Sequence, residues 1–245
     1  MNSKGLWTAT AVVLLAIPAA AFAVDAATAA NIERQLAAQA RTNNNLSADP
    51  DTYVGGLPFA QVHASGEVPR VSFEALDIAI DGLTVNSRTD IYEITVAPDK
   101  AYAGDFLGSA AKRVERTLSL DGVAFGELLG MTDLDISNPY NISPTGGTAS
   151  EAQLTGTVPG MEEKATATVT LRLKGPNFIM EPINPGELPD PAVRAFSLSL
   201  DTRTLPIGKQ ADKVEVSGGS IRFSATEKNV TLTKDHLSPV ATTLG

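Results

Sequence analysis

From Ala165 to Lys174 apolar and polar side chains alternate without a break. Ala165, Ala167, Val169, Leu171 and Leu173 share one parity; Thr166, Thr168, Thr170, Arg172 and Lys174 share the other. Side chains alternate faces along a strand, so this segment is a strand with one apolar and one solvated face. Leu154 to Val158 precedes it across Pro159-Gly160, which predicts a hairpin. The same alternation marks Tyr92, Ile94 and Val96, and again Phe196, Leu198 and Leu200. Val214 and Val216, then Gly218-Gly219, then Ile221 and Phe223 give the strongest hairpin signal of the chain. Val71 and Phe73 are odd, whereas Leu76, Ile78 and Ile80 are even. One extra residue near Glu74-Ala75, a β-bulge, reconciles them. Asp81-Gly82 marks a turn before Leu83 and Val85, and Val62 to Glu67 is read as a further strand.

Helical spacing dominates one long segment. Ala29, Ile32, Glu33, Leu36 and Ala40 recur on one side of Asp25 to Arg41, with Asp25 or Thr28 available to cap its start. The polar run from Thr42 to Asp51 reads as a loop. Tyr102 to Ser119 allows a helix or a strand, and a helical turn followed by a strand is favoured. Val123 to Met131 reads as a short helix. Gly175 to Pro191 holds five prolines and is expected to be a loop outside any regular ladder. The sum is an α+β chain: one long N-terminal amphipathic helix and nine to eleven strands, mostly joined as antiparallel hairpins.

Lys4 and the uncharged run Gly5 to Val24, ending in Ala21-Phe22-Ala23, have the layout of an export signal, and the run approaches the length of an uncleaved anchor. Either way the chain is expected outside the cytoplasm. The expected organisation is residues 1–23 as leader or anchor, 24–235 as one domain, and 236–245 as a disordered tail. The 245 residues carry a net charge of −9 and no cysteine. Disulfides and thiolate chemistry are therefore absent, and an acidic chain lacks the basic face that nucleic acid requires.

Little points to catalysis. His63 and His236 are the two histidines; His63 is read as a solvated strand position. No nucleophile elbow, phosphate loop or two-histidine metal motif occurs. Asp133, Asp135 and Asn138 resemble the start of a cation loop, but the glycine and distal glutamate are missing. The chain is expected to be non-enzymatic, with no catalytic residue, metal or cofactor.

Particular residues resemble a known family. Gly56-Leu57-Pro58-Phe59 resembles the G-F-P-F element of the LmeA-type phospholipid-binding family of actinobacteria, with Leu57 in place of the usual Phe. Gly66, Val71 and Leu76-Asp77 resemble the strand that follows it. Leu205-Pro206-Ile207-Gly208 and Val214 to Ile221 resemble the closing hairpin. The likeness runs from about Ala27 to Leu232 and is poor between Asp99 and Pro191. It implies a protein of the periplasm or cell envelope that binds phospholipid and supports assembly of mannose-containing lipoglycans such as lipomannan. The implied fold is tubular lipid-binding-like: the helix packed in a strongly curved antiparallel sheet, with an apolar groove between. On that reading the groove lining is Leu57, Phe59, Leu83, Ile94, Phe106, Phe196 and Ile207; taken singly, each reads more readily as ordinary core. Headgroup contacts are Lys112, Arg113, Arg116, Arg203 and Lys209. The expected partners are phospholipid and a membrane surface, without nucleic acid. An envelope scaffold with a closed core is the alternative.

Overall fold

The computed structural model describes residues 3–56, 58–80, 82–140 and 146–241, with side chains described from Ala19 onward. Helix α1 (Ser3–Asn44) comes first. Strands β1 (Asp51–Val54), β2 (Glu67–Ile80), β3 (Leu83–Thr95) and β4 (Ala110–Asp121) follow, with helices α2 (Val62–Ser65) and α3 (Pro98–Tyr102) between them. After α4 (Gly122–Leu129) come β5 (Asp135–Ser137), β6 (Ala149–Thr157), β7 (Lys164–Lys174), β8 (Asn177–Pro182), α5 (Asp190–Ala195) and β9 (Leu198–Asp201). The hairpin β10 (Lys213–Ser217) and β11 (Ser220–Thr231) completes the set.

Two antiparallel sheets result. One has six strands in the order β1-β2-β3-β4-β11-β10, the other five in the order β5-β6-β7-β8-β9. The chain leaves the first sheet after β4, builds the second as a meander, and returns to pair β11 with β4. The α+β class and long helix match the sequence reading, while the single curved sheet expected is two sheets, neither closed into a barrel.

Helix α1 buries Ala29, Ile32, Leu36, Ala37 and Ala40, the stripe its periodicity predicts. It does not start at Asp25; the helix runs back to Ser3, so neither Asp25 nor Thr28 caps it. The Thr28 hydroxyl donates to the Val24 carbonyl a turn earlier. Asp25 instead accepts the backbone N–H groups of Phe59 and Ala60 at 2.6 and 2.7 Å, and Glu33 accepts that of Val54 at 2.9 Å. Two helix carboxylates thus satisfy backbone donors of the segment crossing beneath.

The bulge expected in β2 is present, with the register shifting between Ala75 and Ile78 and Asp77 at φ 53°. A second irregularity crosses β3 and β11, where Glu93 and Asn229 take φ of 51° and 54° and are left unpaired while the register on either side is kept. It switches parity, so Ile91 and Ile94 both point inward. Tyr92 therefore leaves the inward set that Ile94 and Val96 keep. Its ring carries the guanidinium of Arg113 at 4.1 Å and of Arg70 at 5.5 Å.

Three further expectations meet a different structure. Val62 to Ser65 is helical, and His63 lies exposed against the Tyr102 ring, centroids 4.9 Å apart. Asn177–Pro182 forms ladders with both β7 and β9, because Pro176 precedes the strand and Pro182 ends it, leaving the donors between intact. Residues 236–241, expected as part of a tail, pack on the six-stranded sheet, with Ser238 fully buried and Leu237, Val240 and Ala241 each 8% exposed.

The core is in two parts. Ile32, Leu36, Phe59, Val71, Phe73, Ile91, Ile94, Phe106 and Val114 fill the space between α1 and one half of the six-stranded sheet. Leu118, Leu120, Phe125, Leu154, Val169, Leu171, Phe178 and Phe223 fill the space between its other half and the five-stranded sheet. Edge-to-face contacts link Phe125 to Phe178 and Phe178 to Phe223, centroids 6.5 and 4.9 Å apart.

Candidate functional site

A polar rung separates these two oils. Thr89 of β3 opposes Arg116 of β4, and Arg116 opposes Ala225 of β11. One step along, Ser87 opposes Leu118. All point inward. Arg116, 2% exposed, is among the largest fully buried side chains, and Ser87 and Thr89 are equally hidden. An isolated cation there would be very costly, so its partners matter. Arg116 Nε donates to Thr89 Oγ1 at 3.1 Å; Nη1 donates to Asp235 Oδ2 at 3.3 Å and Nη2 to the Asp235 carbonyl at 2.7 Å. Burial pulls the guanidinium below its ordinary pKa, and Asp235 opposes that shift.

The segment from Asp235 onward covers the rung. Ser87 Oγ and Thr89 Oγ1 donate to the Pro239 carbonyl at 2.6 and 3.3 Å, and the Ala241 N–H donates to the Pro206 carbonyl at 3.0 Å. Gly208 completes the wall. A side chain there would begin 2.8 Å from Arg116 Nη1, and its φ of 85° favours glycine. His236, on the same segment, lies 3.5 Å from Glu227.

Beside the rung, a cleft of about 440 Å³ opens along the seam between α1 and the segments that follow α3 and β11. Leu36, Ala38, Gln39, Thr42 and Asn43 supply its helix wall; Asp105, Leu107, Lys234 and Leu237 supply the other. The volume falls in the range of about 300–1,000 Å³ usual for small-molecule sites.

The residues named as groove lining divide between the two clusters. Phe59, Ile94 and Phe106 are buried under α1. Phe196 and Ile207 are buried in the inter-sheet cluster, with Leu83 packed at its margin. Leu57 lies outside the described residues. The cationic group divides as well. Lys112 faces solvent and pairs with Glu93 at 2.7 Å, and Arg113 stacks on Tyr92. Arg203 pairs with Asp201 at 2.6 Å, and Lys209 donates to the Thr226 carbonyl at 2.6 Å. Arg116 alone of these is buried. Sequence reasoning places Leu36 on the helix stripe but not at a cleft, and Leu107, Leu237 and the rung partners Ser87 and Thr89 do not emerge from it. A signal for the rung exists: Arg116 shares parity with Val114 and Leu118, and Ser87 and Thr89 share parity with Val85 and Ile91.

Asp133 is engaged structurally. It accepts the Thr157 N–H at 2.8 Å and its hydroxyl at 2.9 Å, and lies 3.1 Å from Lys164.

The LmeA-like phospholipid-binding family model matches residues 23–226, most of the chain. This protein belongs to the LmeA-like phospholipid-binding family. No curated protein and no solved structure matches it. The match takes in α1 from Ala23, all of β1 to β10, the rung residues Ser87, Thr89 and Arg116, and Gly208. Two of the elements that resemble the LmeA-type pattern hold structural junctions. Phe59, at the end of the first, delivers an N–H that Asp25 accepts, and Gly208, at the end of the second, borders Arg116. Asp235 to Ala241 lies beyond the matched residues.

Proposed function

We propose that this protein is a non-enzymatic phospholipid carrier of the cell envelope, taking an acyl chain at the seam between α1 and the segments that follow α3 and β11. The supporting observation is the seam cleft, with Leu36, Leu107 and Leu237 in its walls, in a chain of a phospholipid-binding family. The cleft adjoins the cluster that holds Phe59, Ile94 and Phe106, three of the residues proposed to line the groove. Each methylene removed from water contributes about 0.8 kcal/mol, so a chain of roughly 16 carbons has a gross drive on the order of 10 kcal/mol. The bilayer offers the lipid nearly the same environment. The net preference is therefore small, which suits pick-up and delivery rather than permanent storage. No bond need be made or broken, and the exposed ring of His63 rests on Tyr102.

Export carries the domain to where such lipids are assembled, and support of lipoglycan assembly is the role proposed there. In α1, Phe22 and Val24 are 58% and 68% exposed just before Asp25 engages the domain. That apolar lead-in suits a membrane-facing start. The scaffold reading retains one favouring observation: Phe59, Ile94, Phe106, Phe196 and Ile207 are all buried by polypeptide.

Native mass spectrometry of gently purified protein, followed by uptake of labelled phospholipid from vesicles by delipidated protein, separates the two. Co-purifying phospholipid and saturable uptake are expected. Folded, delipidated protein that takes up none favours the scaffold.

A further inference from the structure

We propose that Arg116 is the anchoring point for the phosphate of a bound phospholipid, and that Asp235–Ala241 is a displaceable internal cover now seated on it. The proposal rests on the lipid-binding reading and adds where the headgroup goes and what must move. Four observations carry it.

First, the rung is a built oxyanion site. A guanidinium and two hydroxyls, from Arg116, Thr89 and Ser87, converge on the inner face of the sheet. What they grip is an oxygen set: the Asp235 carboxylate and carbonyl on Arg116, the Pro239 carbonyl on Ser87 and Thr89. A phosphodiester presents the same chemistry, anionic and carbonyl-like acceptor oxygens, to the same donors. Asp235 Oδ2 therefore stands where a phosphate oxygen would.

Second, one short segment closes both halves of the binding path. Lys234 and Leu237 wall the seam cleft, while Asp235 between them holds Arg116. Lifting this segment would join the apolar cleft to the cation, giving one channel with an oily end for the acyl chain and a charged end for the headgroup.

Third, the site and its cover differ in standing. Ser87, Thr89, Arg116 and Gly208 fall inside the residues that match the phospholipid-binding family, and the cover falls outside them.

Fourth, the cover meets the rung through polar contacts that a phosphate can exchange. Its fastenings include the Arg116 pair, the two hydroxyl bonds to Pro239, the bond from Ala241 to Pro206 and the approach of His236 to Glu227. An incoming phosphate on Arg116 can replace the Asp235 pair without leaving the guanidinium buried and alone.

The test is hydrogen exchange of the full chain at residues 235–241. It is run with vesicles of phosphatidylglycerol, with vesicles of a chain-matched glycosyl diacylglycerol that has no phosphate, and with inorganic phosphate. Labelled-lipid uptake is measured in parallel. The cover should lose protection with phosphatidylglycerol and keep it with the other two. Asp235→Asn should speed phosphatidylglycerol uptake roughly tenfold, since the competing carboxylate is gone. Arg116→Lys should take up both lipids with the preference for phosphatidylglycerol reduced; should either variant misfold, the wild-type exchange and uptake data across the three additions still decide. Uptake with the cover fully protected, or unchanged uptake by Asp235→Asn, overturns the cover while leaving lipid binding intact. Equal opening by the phosphate-free lipid, or by inorganic phosphate alone, overturns a lipid-phosphate site at Arg116. Absence of uptake by the wild type and by Asp235→Asn removes the lipid-binding reading, and this inference with it.

Discussion

Gly122 and Gly126 stand one turn apart on α4, where the chain folds back on itself. A Cβ on Gly126 would sit 2.6 Å from the Met131 carbonyl oxygen, and one on Gly122 would meet the Leu134 carbonyl. Backbone cannot swing aside as a side-chain end can. Gly126→Ala is therefore expected to lose about 1–3 kcal/mol in urea unfolding, although alanine is the better helix former. Asp133 makes a prediction about acid. The Thr157 amide, then Lys164 and the Thr157 hydroxyl, hold its pKa at about 2, below the ordinary 3.8. Because the folded value is depressed, its stabilisation is complete above the unfolded value and is lost as pH falls through about 2. Asp133→Asn should be less stable than the wild type near neutrality, and the gap between their unfolding midpoints should close between pH 4 and 2. Arg116 shows how far single residues were legible. Its parity with Val114 and Leu118 marks an inward position, but nothing local says which side chain would meet it there. Asp235 lies over a hundred residues away and reaches it only through tertiary folding.

Among elements, those whose pattern is local were readable. The β6–β7 and β10–β11 hairpins follow from alternation broken by turn residues, and the β2 bulge from a change of parity. The change of parity at Glu93 escaped because Tyr92, Ile94 and Val96 imitate an unbroken strand. A tyrosine faces outward there comfortably when guanidiniums cover its ring. The β8 strand escaped because prolines bracket it rather than interrupt it. The attachment of α1 was legible only in its apolar stripe; its polar half was not. Asp25→Ala would strand the Phe59 and Ala60 amides, and a loss of about 1–3 kcal/mol is expected from two charge-assisted bonds. Faster amide exchange at residues 59–62 locates the effect. Unchanged exchange there would mean that the stripe alone holds the helix.

At the scale of the molecule, alternation told which face of each strand is apolar but not what covers it. The helix covers one half of the six-stranded sheet and the second sheet covers the other. That division explains why residues expected in one groove lie in two places. Between the halves stands the rung of Thr89 and Arg116. Ile91 and Ile221 belong to opposite halves, separated by six residues along the strands, on the order of 20 Å. Ile91→Val and Ile221→Val should each lose about 0.5–1.5 kcal/mol, and the double variant should show their sum within about 0.5 kcal/mol. Phe178 and Phe223, in edge-to-face contact, should depart from additivity. One β floor thus supports two watertight rooms with a charged threshold between them. A room can be enlarged or furnished differently without disturbing its neighbour, so long as the threshold keeps its counterion.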